Sequence, residues 1–200
     1  MKKITAAVLI GAALLLIVGL APVHGEAEIY DSVVRLHVLA NSDSDEDQAL
    51  KLDVRDAILE VASPLLETCS DRAQAEDVLR EHLDDIAMAA QETVRNAGHS
   101  EVVSVDFDEE PYPERSYDSF CFPAGTYLSL RVMIGEAEGH NWWCCLFPPL
   151  CKGAASVSPK EAENAFISVG LTPDQYKIIT ETDSTVYKVR FKILELFKKK

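Results

Sequence analysis

Val33-Val34-Arg35-Leu36-His37-Val38-Leu39, followed by Ala40-Asn41-Ser42-Asp43-Ser44-Asp45, decides how the rest of the chain is read. The first seven residues are β-branched or apolar with partial alternation, and they predict a largely buried strand. The Asn/Ser/Asp cluster stops that strand and starts a helix. Leu50, Val54, Ile58, Val61 and Leu65 then recur at helical spacing, and Pro64 marks the weakening end. Ser70-Asp71 caps a second helix, with Ala75, Val78, Leu79, Leu83, Ile86, Ala90 and Val94 on one stripe and Gly98 as its stop. The two helices are expected to form a hairpin.

After Gly98 the period changes from helical to alternating. Val103, Val105 and Phe107 alternate with Ser104 and Asp106 and predict a half-exposed strand. Residues 108–119, acidic and containing Pro111 and Pro113, read as an exposed loop, and Phe122-Pro123-Ala124-Gly125 as a turn. Leu128, Leu130, Val132 and Ile134 alternate with Ser129, Arg131 and Met133, which predicts another strand. A polar turn over 135–139 leads to a returning strand over 142–147, the second arm of a hairpin, ended by Pro148-Pro149. Ser158-Pro159 opens a helix to about Val169, stopped by Gly170, and Thr172-Pro173 opens a shorter one. Tyr187, Val189, Phe191 and Ile193 alternate with Lys188, Arg190 and Lys192 as a last strand. The expectation is an α+β domain with a mixed or antiparallel sheet and helices packed on one face.

Composition narrows the function. Of 200 residues, 48% are hydrophobic and 26% charged, which suits one globular domain. The net charge is -14, from 33 acids against 19 basic residues. The first 25 residues hold Lys2 and Lys3 and no acid, so the part after them is more acidic still. Such a surface repels phosphate backbones and anionic headgroups, which argues against a nucleic-acid partner. Met1-Lys2-Lys3, the charge-free apolar run over 4–21 and Val23-His24-Gly25 ahead of Glu26 have the layout of a secretory signal peptide. Because the run has about the length of a membrane span and Pro22 spoils cleavage after Ala21, an uncleaved anchor is the alternative. Residues 1–25 are thus expected to export residues 26–200, one α+β domain, and to be its sole contact with the membrane.

Candidate chemistry is sparse. Cys69, Cys121, Cys144, Cys145 and Cys151 show no Cys-x-x-Cys spacing, and a disulfide from the Cys144-Cys145 pair to Cys151 is the simplest arrangement outside a reducing cytosol. Asp43, Asp45 and Asp47 resemble the opening of a calcium loop. However, Gln48 stands where its glycine is needed and Val54 where its bidentate glutamate belongs. An acidic first helical turn explains them better, and no metal or cofactor is expected. His140 near Cys144 raises a cysteine nucleophile, with Asn141 as the only nearby orienting group. His37 and His82 read as ordinary partly buried residues. Ser42, Ser119 and Ser129 lack a nucleophile-elbow context. No catalytic residue is assigned, and the chain is read as a non-enzyme. The segment from Gly139 to Cys151 holds both tryptophans, two prolines and three cysteines. On a strand Trp142 and Trp143 point to opposite faces, so one ring enters the core and the other lies outward. Trp142, Trp143, Phe147, Pro148 and Pro149 are the candidate partner-binding residues; the alternative is that both rings fill the core.

Two blocks carry a family resemblance. Arg35-Leu36-His37-Val38-Leu39-Ala40-Asn41-Ser42-Asp43, with Asp47-Gln48-Ala49-Leu50-Lys51 and Val54-Arg55-Asp56, resembles the N-terminal signature of the stage II sporulation protein R family. Phe122-Pro123-Ala124-Gly125-Thr126-Tyr127, Leu130-Arg131-Val132, Ile134-Gly135, Asn141-Trp142-Trp143-Cys144 and Phe147-Pro148-Pro149-Leu150-Cys151 resemble its second. The resemblance implies a protein made in the forespore, exported between the two membranes, and needed to activate a membrane-embedded aspartic protease that processes the precursor of sigma factor E. It supplies no catalytic residues. Trp142, Trp143, Cys144 and Cys151 match as candidates for fold or contact, with Cys144 and Cys151 the candidate disulfide. Cys145 stands in place of an aliphatic residue. The competing readings are an exported thiol-dependent enzyme or redox protein using Cys144, and an envelope scaffolding domain.

Overall fold

A computed structural model describes residues 29–117, 120–151, 158–172, 176 and 179. The expected signal or anchor segment, the last strand over 187–193 and most of the helix after Thr172 lie outside them.

Val34–Leu39 forms β1, and the polar cluster after it turns the chain into α1, Asp45–Leu66. Ser44 is the N-cap: its hydroxyl accepts from the Asp47 amide at 3.1 Å, and Asp45, Glu46 and Asp47 set negative charge against the helix N-terminus. Replacing Ser44 by Ala is expected to lower stability by about 1 kcal/mol, read as a shift in urea midpoint at unchanged slope. Pro64 falls in the last turn, and the helix continues past it to Leu66.

The second expected helix is two helices, α2 (Arg72–Glu81) and α3 (Leu83–Asn96), broken at His82. The His82 amide reaches both the Val78 and Leu79 carbonyls, and its ring Nδ1 meets Asp85 Oδ2 at 2.9 Å. Ala75, Leu79, Ile86, Ala90 and Val94 stay buried across the break, so the apolar stripe is preserved through it. Gly98, at φ +84, ends α3. The His99 amide bonds the Val94 carbonyl and the Gly98 amide that of Arg95, closing the last turn through a left-handed residue.

β2 spans Val103–Tyr112 and β3 Arg115–Ser116, so most of the segment expected as an acidic loop is strand. Pro111 is tolerated because β2 lies at the sheet edge, where a strand has a neighbour on one side and fewer ladder bonds to lose. β4 (Cys121–Phe122) pairs with β3, and Pro123-Ala124 joins it to β5, Gly125–Ile134. β6 is Asn141–Phe147.

The main sheet has the order β2-β5-β1-β6. β5 and β6 therefore form no hairpin. β1 lies between them, parallel to β5 and antiparallel to β6. The 135–140 connection crosses the end of β1, held by bonds from the Glu136 amide to Asn41 Oδ1, the Glu138 amide to the Asn41 carbonyl and the Gly139 amide to the Ala40 carbonyl. A Cβ on Gly139 would sit 2.2 Å from the Ser42 carbonyl oxygen, so only glycine permits this crossing.

One sheet face carries Val34, Leu36, Val38, Phe107, Leu128, Leu130, Val132, Ile134, Cys144 and Leu146, packed under α1, α2 and α3. This is the α+β arrangement expected from the pattern. The other face is covered at one end by a second cluster, in which Tyr112, Phe120, Phe122, Tyr127 and Cys145 meet Ala162 and Phe166 of α4 (Pro159–Ser168). α4 opens with a capping box between Ser158 and Glu161, and Gly170 follows it at φ +95. Among the described residues no helix is long and apolar enough to cross a membrane.

Candidate functional site

β6 is the outermost strand on one side of the sheet, and its alternation sends its two tryptophans to different faces. Trp142 packs on the helical side, half-buried, with the Arg55 guanidinium 4.5 Å from its ring centre. Its Nε1 is buried without a hydrogen-bond partner among the described residues. Trp143 lies on the opposite face, stacked on His37 at 5.1 Å and covered by Arg115 at 3.7 Å. Each indole is thus partly exposed beneath an arginine, an arrangement that holds the ring in place and adds cation–π attraction. Neither ring is wholly core.

The other three candidate contact residues divide differently. Phe147 is 1% exposed and Pro148 is buried, so they shape the end of β6 from within; Pro149 is half-buried. Cys144 is joined to Cys151 by a disulfide that ties β6 to the segment after the proline pair. Cys145 is a free thiol on the second cluster, pushed up to about 12 by complete burial, partly countered by the Arg35 charge. Such a thiol is a packing group and not a nucleophile. His140 does not face Cys144. Its ring and its amide both meet the Asp43 carboxylate. A nucleophilic Cys144 is therefore unavailable in this disulfide-bonded form.

Asp47, the third acid of the supposed calcium loop, is buried and accepts from Ser42 Oγ and Asn41 Nδ2. Those bonds, Ser42 first, hold its carboxyl below the usual range despite burial. Ligand atoms of Asp47, His99 and Glu101 lie within 4.8 Å of one another. The Asp47 contacts already account for its position, since they pin the turn from β1 into α1.

A polar row on the open end of the Trp143 face went unread in the sequence. It runs from Asp106 of β2 to Arg131 of β5 at 2.7 Å, then by way of Glu110 to His37 of β1 at 2.9 Å, and on to Asn141 of β6 at 3.1 Å. The sequence signal was there: Arg35 and His37 alternate with Val34, Leu36 and Val38, so every polar residue of β1 shares one face. Burial opposes charge on Glu110, but the His37 bond and charge, a Ser129 bond and Arg131 outweigh it and leave its carboxyl below the ordinary value. A depressed carboxyl contributes stability above its unfolded pKa, about 4.3, that is lost as pH falls through the folded value. Unfolding titrations are expected to show a shallower acid decline below about pH 4.3 for Glu110→Gln than for the parent.

Beneath this row Arg35 is fully buried. Its guanidinium sits 4.3 Å from the Phe122 ring centre, 4.6 Å from Tyr112 and 5.2 Å from Tyr127. Nε donates to the Cys144 carbonyl at 3.1 Å and Nη2 to the Tyr117 hydroxyl at 2.6 Å. Tyr117 passes the bond on to the Trp143 carbonyl at 3.2 Å. A buried cation on β1 thereby positions the backbone of β6. Ser129, one of the serines considered as a nucleophile, is 1% exposed and bonds the Tyr112 hydroxyl. Ser119 lies outside the described residues.

The family model described as stage II sporulation protein R matches residues 30–156, which include β1 through β6 and the disulfide. A protein of that name from Bacillus subtilis (strain 168) is 41% identical over 123 residues, 62% of this chain and 55% of the relative's length. No solved structure matches.

Proposed function

Since the chain belongs to the stage II sporulation protein R family, we propose that it is an exported sporulation signal. It leaves the forespore through its N-terminal segment and, between the two membranes, switches on a membrane-embedded aspartic protease that processes the sigma-E precursor. The observation that carries this reading is the family match itself, which spans the whole main sheet. Three further features support it. The charge-free run over 4–21 behind Lys2 and Lys3 suits export. The Cys144–Cys151 disulfide suits an oxidising compartment. The two half-exposed tryptophans on an outer strand suit contact with a partner.

Mechanistically, such a ligand works by differential affinity. It binds the active arrangement of the protease more tightly than the resting one and shifts the population accordingly. If the protease's outer face is basic, the acidic surface steers the encounter, and added salt weakens that effect.

The test is co-expression of the full chain with the protease and the sigma precursor in a non-sporulating host. Precursor cleavage is expected only when all three are present. Cleavage in the absence of this chain would end the activator reading. Recovery of the intact polypeptide from the cytosol of the cell that made it would end the export reading.

A further inference from the structure

His99 stands between the Gly98 stop of α3 and the start of β2, with its amide on the Val94 carbonyl at 3.1 Å. Its side chain is 15% exposed. Nδ1 faces Glu101 Oε2 at 3.4 Å, and Nε2 faces Glu46 Oε1 at 3.5 Å. Both separations exceed an ordinary hydrogen bond, and among the described residues the ring makes none. The buried Asp47 completes the group, its ligand atom within 4.8 Å of those of His99 and Glu101.

Three carboxylates thus surround one imidazole, so three negative charges meet at most one positive. Among the described residues no lysine or arginine pairs with any of these acids. The bonds from Asn41 and Ser42 explain where Asp47 is held, and the start of α1 accounts for Glu46. Neither accounts for His99 or Glu101, which belong to the connection into β2. The acids are also held from outside. Asn41 and Ser42 both donate to Oδ2 of Asp47. The Ser100 amide donates to Glu101 Oε2 at 2.9 Å, and Gln91 Nε2 to the Glu101 carbonyl at 3.0 Å. Bonds of this kind orient the ligands of a metal ion.

From this we infer that Asp47, Glu101 and Nδ1 of His99 bind one zinc ion, which clamps the start of α1 to the connection entering β2. One imidazole among carboxylates suits zinc, whereas calcium takes about six to eight oxygen ligands. Zinc bonds of about 2.0–2.1 Å in a tetrahedron set ligand atoms about 3.3–3.4 Å apart. His99 Nδ1 and Glu101 Oε2 already have that spacing. Zinc at Nδ1 leaves Nε2–H directed at Glu46, which fixes the tautomer. The fourth position falls to water. Zinc here adds to the signalling reading without resting on it.

The purified full-length chain is stripped with a chelator and titrated by calorimetry with zinc chloride and, separately, with calcium chloride. One equivalent of zinc is expected to bind, and more tightly than calcium. His99→Gln and Glu101→Gln are each expected to weaken zinc by about a hundredfold or more, and Glu46→Gln by about tenfold. His140→Gln, which alters a separate surface pair with Asp43, should bind zinc as the parent does. Asp47 is left intact because it also pins the turn into α1. Urea midpoints measured in chelator are expected to match the parent for the two glutamine variants, so a lost site is distinguished from a lost fold. The assignment is overturned if the parent binds no zinc or prefers calcium. It is equally overturned if His99→Gln and Glu101→Gln, both folded, bind as the parent does, or if His140→Gln loses zinc to the same extent as they do.

Discussion

Arg35→Ala is expected to lower the stability of the domain by about 3–4 kcal/mol, the largest effect of any single substitution considered for this chain. Three losses coincide. The aromatic cage of Tyr112, Phe122 and Tyr127 loses its cation. The Tyr117 hydroxyl and the Cys144 carbonyl lose a buried donor. A cavity opens between the sheet and the second cluster, since Arg35 is among the largest fully buried side chains. Arg35→Met separates the contributions. It refills most of the volume and removes the desolvated charge, so it is expected to cost only about 1–2 kcal/mol. Urea unfolding followed by tryptophan fluorescence measures both, and near-ultraviolet dichroism should change in both because Tyr117 no longer fixes the strand bearing Trp143. An Arg35→Ala midpoint close to that of the parent would show that the cage does not hold this face together.

Removing the disulfide is the second large effect. Cys144 and Cys151 close a loop with a sequence separation of 7. On the chain-entropy account, restoring that freedom to the unfolded state costs about 2.5 kcal/mol at 25 °C. The double variant Cys144→Ala, Cys151→Ala is expected to show that loss. Thiol labelling in denaturant checks the pairing independently: the unreduced parent should react at Cys69, Cys121 and Cys145 alone, the three free cysteines. In the folded protein Cys145 should stay unreactive, because complete burial pushes its thiol up to about 12. Labelling of Cys144 or Cys151 without reductant would contradict the bond.

Most individual elements were legible in the residues alone. The alternation of Val34, Leu36 and Val38, the helix start in the cluster from Asn41 to Asp45, the helical recurrence from Leu50 to Ile58, the cap at Asp71 and the stops at Gly98 and Gly170 all act over a few residues, so local physics suffices to read them. The break at His82 was not legible, because no glycine or proline marks it and the apolar stripe continues through it. The extension of β2 through Glu109, Glu110 and Pro111 was hidden because an edge strand tolerates charge and proline that a central strand rejects.

By itself, the sequence determined that this is an acidic α+β domain, which residues share a strand face, and, through two long blocks, the family to which it belongs. Only the tertiary structure decided that β1 lies between β5 and β6, that Arg35 is caged by rings from β2, β4 and β5, and that β2 and β6 are the outer strands of the sheet among the described residues. Side-chain periodicity is a property of the local backbone and survives in the order of residues. Strand neighbours are chosen by contacts between segments about a hundred positions apart, such as Arg35 with Cys144, and no local pattern encodes that choice.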